Sequence, residues 1–305
     1  MTRMAGGFEL VDLGFQGTPS VIATAVLRGP DGVALVDPGP TTCLEHLRAG
    51  LIAVGTDLRE VTTLLVTHIH LDHAGASGTI LRERPDITVY VHERGAKHLV
   101  DPGKLLDSAA RLYGDAMDRL WGAVLPVPAA NVRALTGGER IEAGGRRLEV
   151  AYTPGHASHH VSYFDTEGGT AFVGDTAGVR IGAGGVIMPP TPPPDIDLDA
   201  WQKSADHILA WRPERLFLTH FGLGDAPAAH FAELMARLRH TAELARTALE
   251  AGGSDTEQAT AFQRAARAEL REHASAAEVA QYELAVPLDH CYLGLARYWR
   301  KRSAG

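Results

Sequence analysis

The chain has 305 residues, enough for a substantial buried core, and its 45% hydrophobic and 22% charged content is that of an ordinary globular protein. Its formal net charge of −8 gives no cationic footprint for nucleic acid, which proteins bind through clustered Lys and Arg. The two cysteines, Cys43 and Cys291, form no CxxC pair. Neither a disulfide framework nor a thiolate zinc site is therefore indicated.

No run approaches the roughly 18 uninterrupted apolar residues that a membrane span needs. The first residues, MTRMAGGFELVDLG, lack the apolar core of a secretory signal. We therefore expect a cytoplasmic protein that acts on a small-molecule substrate, with neither a membrane nor a nucleic-acid partner. A homodimer is a possible assembly.

The first part of the chain alternates predicted strands and helices, as in an α/β layered fold. Strands are predicted at FELVDLG, SVIATAVLRG and VALVDPG, with the last two joined by the turn PDG. The apolar spacing of Leu44, Leu47 and Leu51 predicts a helix with a Thr as N-cap and a stop at Gly55. A strand at VTTLLVT, a helix from about Gly75 to Arg84 and a strand at ITVYVHE follow.

Residues 93 to 130 are expected to be helical and irregular. Their apolar side chains have helical spacing, which favours packing in the core over a flap above a pocket. The stripe consists of Leu105, Leu112, Tyr113, Met117, Leu120 and Trp121.

A second block of strands is predicted from about Arg140, in RIEAGGRRLEVAYTPGH and HHVSYFDTEGGTAFVGD, before a helix at DLDAWQKSADHILAW and a strand at RLFLTHFG. The proline-rich MPPTPPPDID, Met188 to Asp197, is predicted to be an exposed loop bordering the site, together with the preceding GVRIGAGGV. From Ala226 the spacing predicts a helical appendage. The two strand blocks imply two stacked sheets with helices outside.

The segment VTHIHLDHAG carries His68, His70, Asp72 and His73 directly after an apolar run. His68 and His70 alternate on extended backbone and point the same way, while the following turn lets the other two converge on them. Imidazoles and a carboxylate suit Zn²⁺, and also Fe or Mn. Burying such a cluster without a cation is costly, so the segment predicts a metal site.

Three further ligand-type residues each follow an apolar run, namely His156, Asp175 and His220. Predicted strand ends are where loops gather a site on a rigid scaffold. Together with the first cluster they supply enough ligands for two metal ions that share a carboxylate.

In this pattern the sequence resembles the metallo-β-lactamase-fold hydrolase superfamily, and in particular its dinuclear glyoxalase II-like and lactonase-like members. The HxHxDH motif of the family stands at 68–73, its later ligand motifs match 156, 175 and 220, and DPGP at 37–40 resembles its early turn. The resemblance covers roughly residues 8 to 224. It implies an α/β protein with an αββα sandwich, a catalytic domain over 1–224 and a helical C-terminal extension over 225–305.

The resemblance also implies a ligand set for each metal ion, with Zn²⁺ expected and Fe or Mn as alternatives. The first ion would be held by His68, His70 and His156, the second by Asp72, His73 and His220, and Asp175 would bridge them. A metal-bridging hydroxide would cleave a thioester, ester or lactone. Asp72 is the expected catalytic residue, since it could orient the hydroxide and carry a proton to the leaving group. His160 is expected to support the ligands from outside the set, with a surface position as the alternative.

A glyoxalase II-like thioesterase is the nearest picture, because those members append C-terminal helices that help bind the thiol half of the substrate. The extension here shows no basic cluster that identifies a thiol site. The alternative from another class is a mononuclear iron dioxygenase of the persulfide dioxygenase type, which metal identity would distinguish. The net charge of −8 disfavours a nuclease. A β-lactamase is disfavoured by the bridging Asp175, which lactamases generally lack.

Several other residues could have a functional role, but we expect most of them to be structural or exposed. His92 ends a strand near the cluster and is expected to be structural. Arg180 could meet a substrate carboxylate, although an exposed arginine is the more common outcome. No catalytic role is expected for His159, His207, His230, His240, His273 and His290.

Overall fold

The computed structural model describes residues 6–182 and 185–303, in which two stacked β-sheets lie between outer layers of helices. The predicted αββα sandwich with a C-terminal helical region is therefore confirmed. The start of MTRMAGGFELVDLG and two positions of GVRIGAGGV lie outside the described residues.

The first sheet contains, within the described residues, six strands in chain order: β1 (Glu9–Asp12), β2 (Ala23–Gly29), β3 (Gly32–Val36), β4 (Val61–Leu65), β5 (Thr88–His92) and β6 (Val132–Leu135). β1 to β3 are antiparallel, and Gly29 pairs with Gly32 across the predicted hairpin turn. β3 to β6 are parallel. The sequence did not predict β6, because this edge strand buries only Leu135 and so has no apolar alternation.

The second sheet has the spatial order β12-β11-β10-β9-β8-β7. Its strands are β7 (Arg140–Ala143), β8 (Arg146–Tyr152), β9 (Val161–Asp165), β10 (Thr170–Phe172), β11 (Arg215–Leu218) and β12 (Gly222–Asp225). β10 and β11 are parallel, whereas β8 and β10 each run antiparallel to β9. The carboxyl ends of β8, β10 and β11 therefore lie at one edge. The sequence did not predict β12, in which glycines alternate with Leu223 and Asp225.

The helices cover the outer faces of the sheets, and their bounds are α1 (Leu44–Ala53), α2 (Leu71–Ala74), α3 (Ser77–Glu83), α4 (Glu93–Val100), α5 (Gly103–Tyr113), α6 (Met117–Trp121), α7 (Leu198–Ala210), α8 (Pro227–Glu250), α9 (Asp255–His273), α10 (Ala276–Ala285) and α11 (Leu288–Ser303). Capping boxes at Ser254 and Ser275 begin α9 and α10. The predicted Thr N-cap of α1 is wrong, since Cys43 occupies that position without a side-chain bond. In the part of the chain described here, no helix is both long and apolar enough to cross a membrane.

The layers are held together by apolar side chains that alternate along the strands. On β3, Val33 and Leu35 pack with the outer helices, whereas Ala34 and Val36 face the second sheet. Burial of both faces explains why the strands are continuous apolar runs in the sequence. The predicted stripe of α1 is also confirmed, because Leu47 and Leu51 are fully buried against the first sheet.

The proline-rich segment 188–197 is a loop, but the prediction that it is exposed is wrong. Met188, Thr191 and Ile196 are buried, and α11 packs directly on the segment. Gly294 permits this approach, since a Cβ at that position would lie 2.0 Å from the carbonyl oxygen of Thr191. Prolines lack an N–H group, so burying them leaves fewer backbone donors to satisfy than burying other residues would.

The C-terminal helices share a core with the second sheet. Leu216 and Leu218 of β11 belong to the same buried cluster as Phe231, Phe262 and Tyr292 of the C-terminal helices. This packing joins the helical extension to the sandwich. The division of the chain into 1–224 and 225–305 stays a prediction.

Tyr282 of α10 fastens this extension to the loop that follows the second sheet's β10. Its hydroxyl accepts a hydrogen bond from the Ile181 amide at 3.0 Å and donates to the Val186 carbonyl at 2.5 Å. We expect Tyr282→Phe to lower the free energy of unfolding by about 1–3 kcal/mol, because it leaves buried backbone groups unpaired. Urea denaturation measures this loss.

Tyr298→Phe is the matched control, since among the described residues the Tyr298 hydroxyl accepts a hydrogen bond from Arg302 alone, at 2.8 Å. We expect a change of less than about 0.5 kcal/mol in this variant. Equal losses in the two variants would contradict the assigned role of Tyr282.

Candidate metal centre

The predicted ligands lie where strands end. His68 follows β4, His156 follows β8, Asp175 follows β10 and His220 follows β11. The remaining three, at positions 70, 72 and 73, lie at the start of the short helix α2. The structure brings all seven together at one edge of the sandwich, in two groups of donor atoms that lie within 4.8 Å of one another.

The first group consists of His68, His70, His156 and Asp175. The Nδ1 atom of His70 lies 2.9 Å from Nε2 of His68 and 3.0 Å from Nε2 of His156. A single proton on one of these nitrogens can satisfy only one of the two contacts. A shared cation would satisfy all three lone pairs.

The second group consists of Asp72, His73 and His220. Oδ2 of Asp72 lies 3.2 Å from Nε2 of His220 and 3.7 Å from Nε2 of His73. Asp175 stands between the groups, with Oδ1 at 3.2 Å from His73 and Oδ2 at 3.3 Å from His156. One carboxylate oxygen thus faces each group.

Several donor atoms in this space lack partners. Nε2 of His73, Nε2 of His220 and Oδ1 of Asp175 are buried without a hydrogen bond to any described residue. Burial lowers the pKa of His73, but the facing carboxylates outweigh burial and hold that pKa well above its ordinary value. Positive charge is therefore favoured between the groups, and the residues fit divalent cations.

The protonation states of the three histidines of the first group and of the two carboxyls suit metal ligands, whereas burial of His220 is outweighed by the facing carboxylates, which raise its pKa as they do that of His73. Burial holds the pKa values of His68, His70 and His156 below their ordinary value, which leaves neutral imidazoles. Burial alone would raise the pKa of each carboxyl, but the facing imidazoles lower the pKa of Asp72 to about 2 and that of Asp175 well below its ordinary range. Both carboxyls are therefore ionised near neutral pH.

A buried carboxylate that the sequence analysis did not assign to the site, Asp37, orients His73. Its Oδ2 accepts from Nδ1 of His73 at 2.8 Å, from Thr67 Oγ1 at 2.8 Å and from Thr219 Oγ1 at 2.7 Å. The contact places the His73 proton on Nδ1 and leaves the Nε2 lone pair for the centre. In the sequence, Asp37 is marked by the motif DPGP, at the end of a predicted strand. In the structure it follows the buried strand β3 with a positive φ of 53°.

Backbone carbonyls orient two other ligands in the same manner. Nδ1 of His156 donates to the Pro190 carbonyl at 2.8 Å, and Nδ1 of His220 donates to the Val21 carbonyl at 2.7 Å. Each bond leaves Nε2 free to face the centre. The buried proline-rich loop thus has a direct part in holding a predicted ligand.

His160 lies beside the centre and in neither ligand group. Its ring packs on that of His68 with 5.1 Å between the centroids, and its Nδ1 lies 2.9 Å from Thr153 Oγ1 and 3.1 Å from Thr176 Oγ1. The alternative of a surface position is wrong, since the side chain is fully buried.

A cavity of about 500 Å³ opens beside the first ligand group. His70, Asp72, His156 and Asp175 lie in its wall, and the other walls come from α4, α5, the proline-rich loop and the junction of α10 and α11. The C-terminal helices therefore cover the site. Leu105, Leu112 and Tyr113 also line this cavity, so part of the stripe borders a pocket, which is closer to the less favoured of the two roles predicted for it.

A second cavity, of about 270 Å³, lies on the other side of Asp72 and reaches His220. Its wall includes Phe15, Ile22 and Trp121. The two cavities share a partition that includes Asp72, Leu112, Tyr113, Ala285, Pro287 and His290.

The other residues singled out from the sequence have varied positions. His92 caps α4 by accepting from the Arg94 amide at 3.2 Å and stacks on Tyr152 at 4.4 Å. Arg180 donates to the Leu223 carbonyl at 2.8 Å and is absent from the walls of both cavities. His159 lines the larger cavity.

We expect Asp37→Asn to weaken metal binding by the second ligand group about 10- to 100-fold, because an amide cannot accept hydrogen bonds at both of its ends. Metal titration of the apoprotein, with an indicator dye, measures the affinity. Asp12→Asn is the control, since Asp12 also accepts two backbone bonds at a strand end, from Gly14 at 2.9 Å and Ser20 at 2.8 Å, but contacts no histidine. Unchanged affinity in Asp37→Asn would contradict the orienting role.

Comparison with known proteins agrees with this architecture. The chain is 28% identical over 220 residues to the metallo-beta-lactamase fold-containing protein of Sulfurisphaera tokodaii, covering 71% of this chain and 79% of that one. It is 27% identical over 225 residues to a hydroxyacylglutathione hydrolase of a Synechococcus strain, covering 73% and 75% of the two chains. The fold matches a metallo-beta-lactamase family protein of Thermus thermophilus with a TM-score of 0.73, at 22% identity over 98% of this chain and 94% of that one. The family model of the metallo-beta-lactamase superfamily matches residues 17–220, and the chain therefore belongs to this superfamily.

Proposed function

We propose that the protein is a dinuclear metal-dependent hydrolase that cleaves a thioester, ester or lactone with a metal-activated water. The main support for this proposal is the position of Asp175 between the two ligand groups. Its carboxylate oxygens lie 3.2 Å from Nε2 of His73 in one group and 3.3 Å from Nε2 of His156 in the other. When bound, two divalent ions supply Lewis acidity for the carbonyl and make water acidic enough to attack near neutral pH.

The donor set indicates which ions to expect. His68, His70 and His156 would hold the first ion, and Asp72, His73 and His220 the second, with Asp175 shared between them. Neutral imidazoles and carboxylates without a thiolate suit Zn²⁺, with Fe and Mn as alternatives. The hydrolase names of relatives such as the Synechococcus protein support hydrolysis as the reaction class.

The side chains around the larger cavity favour water as the nucleophile. Cys291 lies in the wall, but burial raises the pKa of its thiol to about 11, so little thiolate forms near neutral pH. The hydroxyl of Ser158 donates to Asp195 and, among the described residues, forms no hydrogen bond with an imidazole base. Neither side chain has the activation that a covalent mechanism requires.

Asp72 is placed to move a proton during the reaction. Among the predicted ligands it is the one that lines both cavities, and its side chain keeps 20% exposure while His73 beside it has none. A carboxylate that faces the substrate space can accept a proton from the attacking water and deliver it to the leaving group. We therefore assign this transfer to Asp72.

We expect the purified protein to contain two metal ions per chain, measured by plasma mass spectrometry. A chelator should abolish hydrolysis of thioester, ester and lactone test substrates, and Zn²⁺ should restore it. One iron per chain, with oxygen uptake in place of hydrolysis, would overturn the proposal in favour of the dioxygenase.

We expect Asp72→Asn to lower kcat about 10²- to 10⁴-fold when the metal concentration is high enough to fill both ligand groups. The reason is that an amide can neither accept nor deliver the proton. Metal content measured in the same samples separates this loss from a loss of metal. A kcat within about twofold of the wild-type value at full occupancy would assign the proton transfer to another group.

A further inference from the structure

The cavity of about 500 Å³ has a rim of basic side chains. We call it the cationic cavity, and its rim residues are Arg94 and Lys97 on α4 and Lys104 and Arg111 on α5. A spacing of three residues on α4 and of seven on α5 places each pair on one helix face. All four side chains are exposed. The two helices thus present their positive charge to the same space.

Within the described residues, Lys97, Lys104 and Arg111 have no charged or aromatic partner, and Arg94 lies over the Tyr152 ring, 5.7 Å from its centroid. Within the described residues, none of the four has an ion-pair partner within 4.0 Å or donates a side-chain hydrogen bond. Outside the predicted metal ligands, the wall contains one carboxylate, that of Asp195, which accepts from Ser158. The chain as a whole has a net charge of −8, so this local excess of cations indicates that an anionic ligand binds here.

The cations also repel positive charge within the cavity. His98 lies in the wall beside them, and burial together with the charges of Lys97 and Lys104 lowers the pKa of its imidazole. Like charges held close together cost free energy unless a counter-charge binds between them. The rim is therefore suited to an anion.

The second cavity, of about 270 Å³, has the opposite character, and we call it the apolar cavity. Its wall includes Phe15, Val21, Ile22, Leu120 and Trp121. The charged residues in its wall, apart from Asp72, are one cation and two carboxylates: Arg119, Glu283 and Asp289. Arg119 donates to the Gln16 side chain at 2.9 Å, and Glu283 pairs with Arg267. This cavity favours an uncharged, apolar group.

The two cavities meet at the candidate metal centre. The cationic cavity reaches His70 and His156 of the first ligand group, the apolar cavity reaches His220 of the second, and Asp72 lines both. A substrate whose reacting carbonyl lies at the centre can therefore extend one arm into each cavity. Charge then decides which arm enters which cavity.

We propose that the substrate is an acyl thioester or ester of an anionic thiol or alcohol, whose phosphate or carboxylate groups bind Arg94, Lys97, Lys104 and Arg111 while its apolar acyl group enters the apolar cavity. This proposal rests on the proposed hydrolase function. It favours a two-armed substrate over a lactone, which has a single compact ring. It also assigns recognition of the thiol half to α4 and α5 and not to the C-terminal helices that the family resemblance suggested.

The first test measures binding without hydrolysis. S-methyl thioethers of coenzyme A and of glutathione have neither a scissile carbonyl nor an acyl chain, so calorimetry of the metal-loaded protein reports on the anionic arm. We expect binding of at least one of them to weaken about 10-fold or more in Lys97→Glu/Lys104→Glu. Lys203→Glu is the control, since Lys203 is an exposed, unpaired lysine on α7 outside both cavities.

The second test compares hydrolysis of three thioesters with the same acyl group, made with coenzyme A, glutathione and the neutral thiol N-acetylcysteamine. We expect Lys97→Glu/Lys104→Glu to lower kcat/KM about 10-fold or more for an anionic thioester and less than about twofold for the neutral one. We also expect kcat/KM to rise roughly fourfold per methylene as the acyl chain lengthens into the apolar cavity.

The outcomes separate the two proposals. A preference for the coenzyme A compounds assigns the rim to phosphate, and a preference for the glutathione compounds assigns it to carboxylate; both support the inference. Equal binding and equal hydrolysis in the double variant and the wild type would overturn the inference about the substrate. Metal-dependent hydrolysis of the neutral thioester in the same experiment would still support the proposed hydrolase function. Failure of the metal-loaded wild type to hydrolyse any thioester, ester or lactone would instead overturn the proposed function, whatever the binding results.

Discussion

The carboxylate of Asp37 ties the two sheets together beneath the candidate metal centre. It follows β3 of the first sheet and accepts hydrogen bonds from Thr67, after β4, and from Thr219, after β11 of the second sheet. It also accepts from His73 at 2.8 Å. A fully buried carboxylate is tolerated only when it is well hydrogen-bonded, so the strand ends and the imidazole must stay where this one side chain holds them.

The arrangement of the centre follows from this constraint and from the direction of the strands. Parallel and alternating strands bring the carboxyl ends of β8, β10 and β11 to one edge, and each end contributes a ligand-type residue. Backbone carbonyls of Val21 and Pro190 then set the tautomers of His220 and His156. The side chains are therefore oriented by the fold itself, which is the condition for a metal centre that binds without rearrangement.

The C-terminal helices shape the space that a substrate enters. The α10–α11 junction lines both cavities. Helix α11 also packs on the proline-rich loop, in which the Pro190 carbonyl accepts a hydrogen bond from His156. Packing of the extension thus bears on the centre as well as on overall stability. Cations from α4 and α5 face this enclosed space, whereas the apolar cavity lies beyond Asp72.

Much of the fold and the grouping of the site residues could be predicted from sequence, because each of His156, Asp175 and His220 follows a buried apolar run. The DPGP motif marks Asp37 in the sequence, but its hydrogen-bond partners could not be predicted, since they lie 30 to 182 positions away in the chain. The burial of the proline-rich loop depends on contact with α11, to which composition gives no guide. The cationic rim likewise forms from residues on separate helices that converge only in the folded chain.

Anomalous diffraction from metal-loaded crystals tests most directly our proposal that Asp175 lies between two metal ions. The account predicts two peaks about 3.5–4 Å apart, one near His156 and one near His73, with Asp175 between them. A single peak at full metal loading, with the other ligand group unfilled, would contradict it.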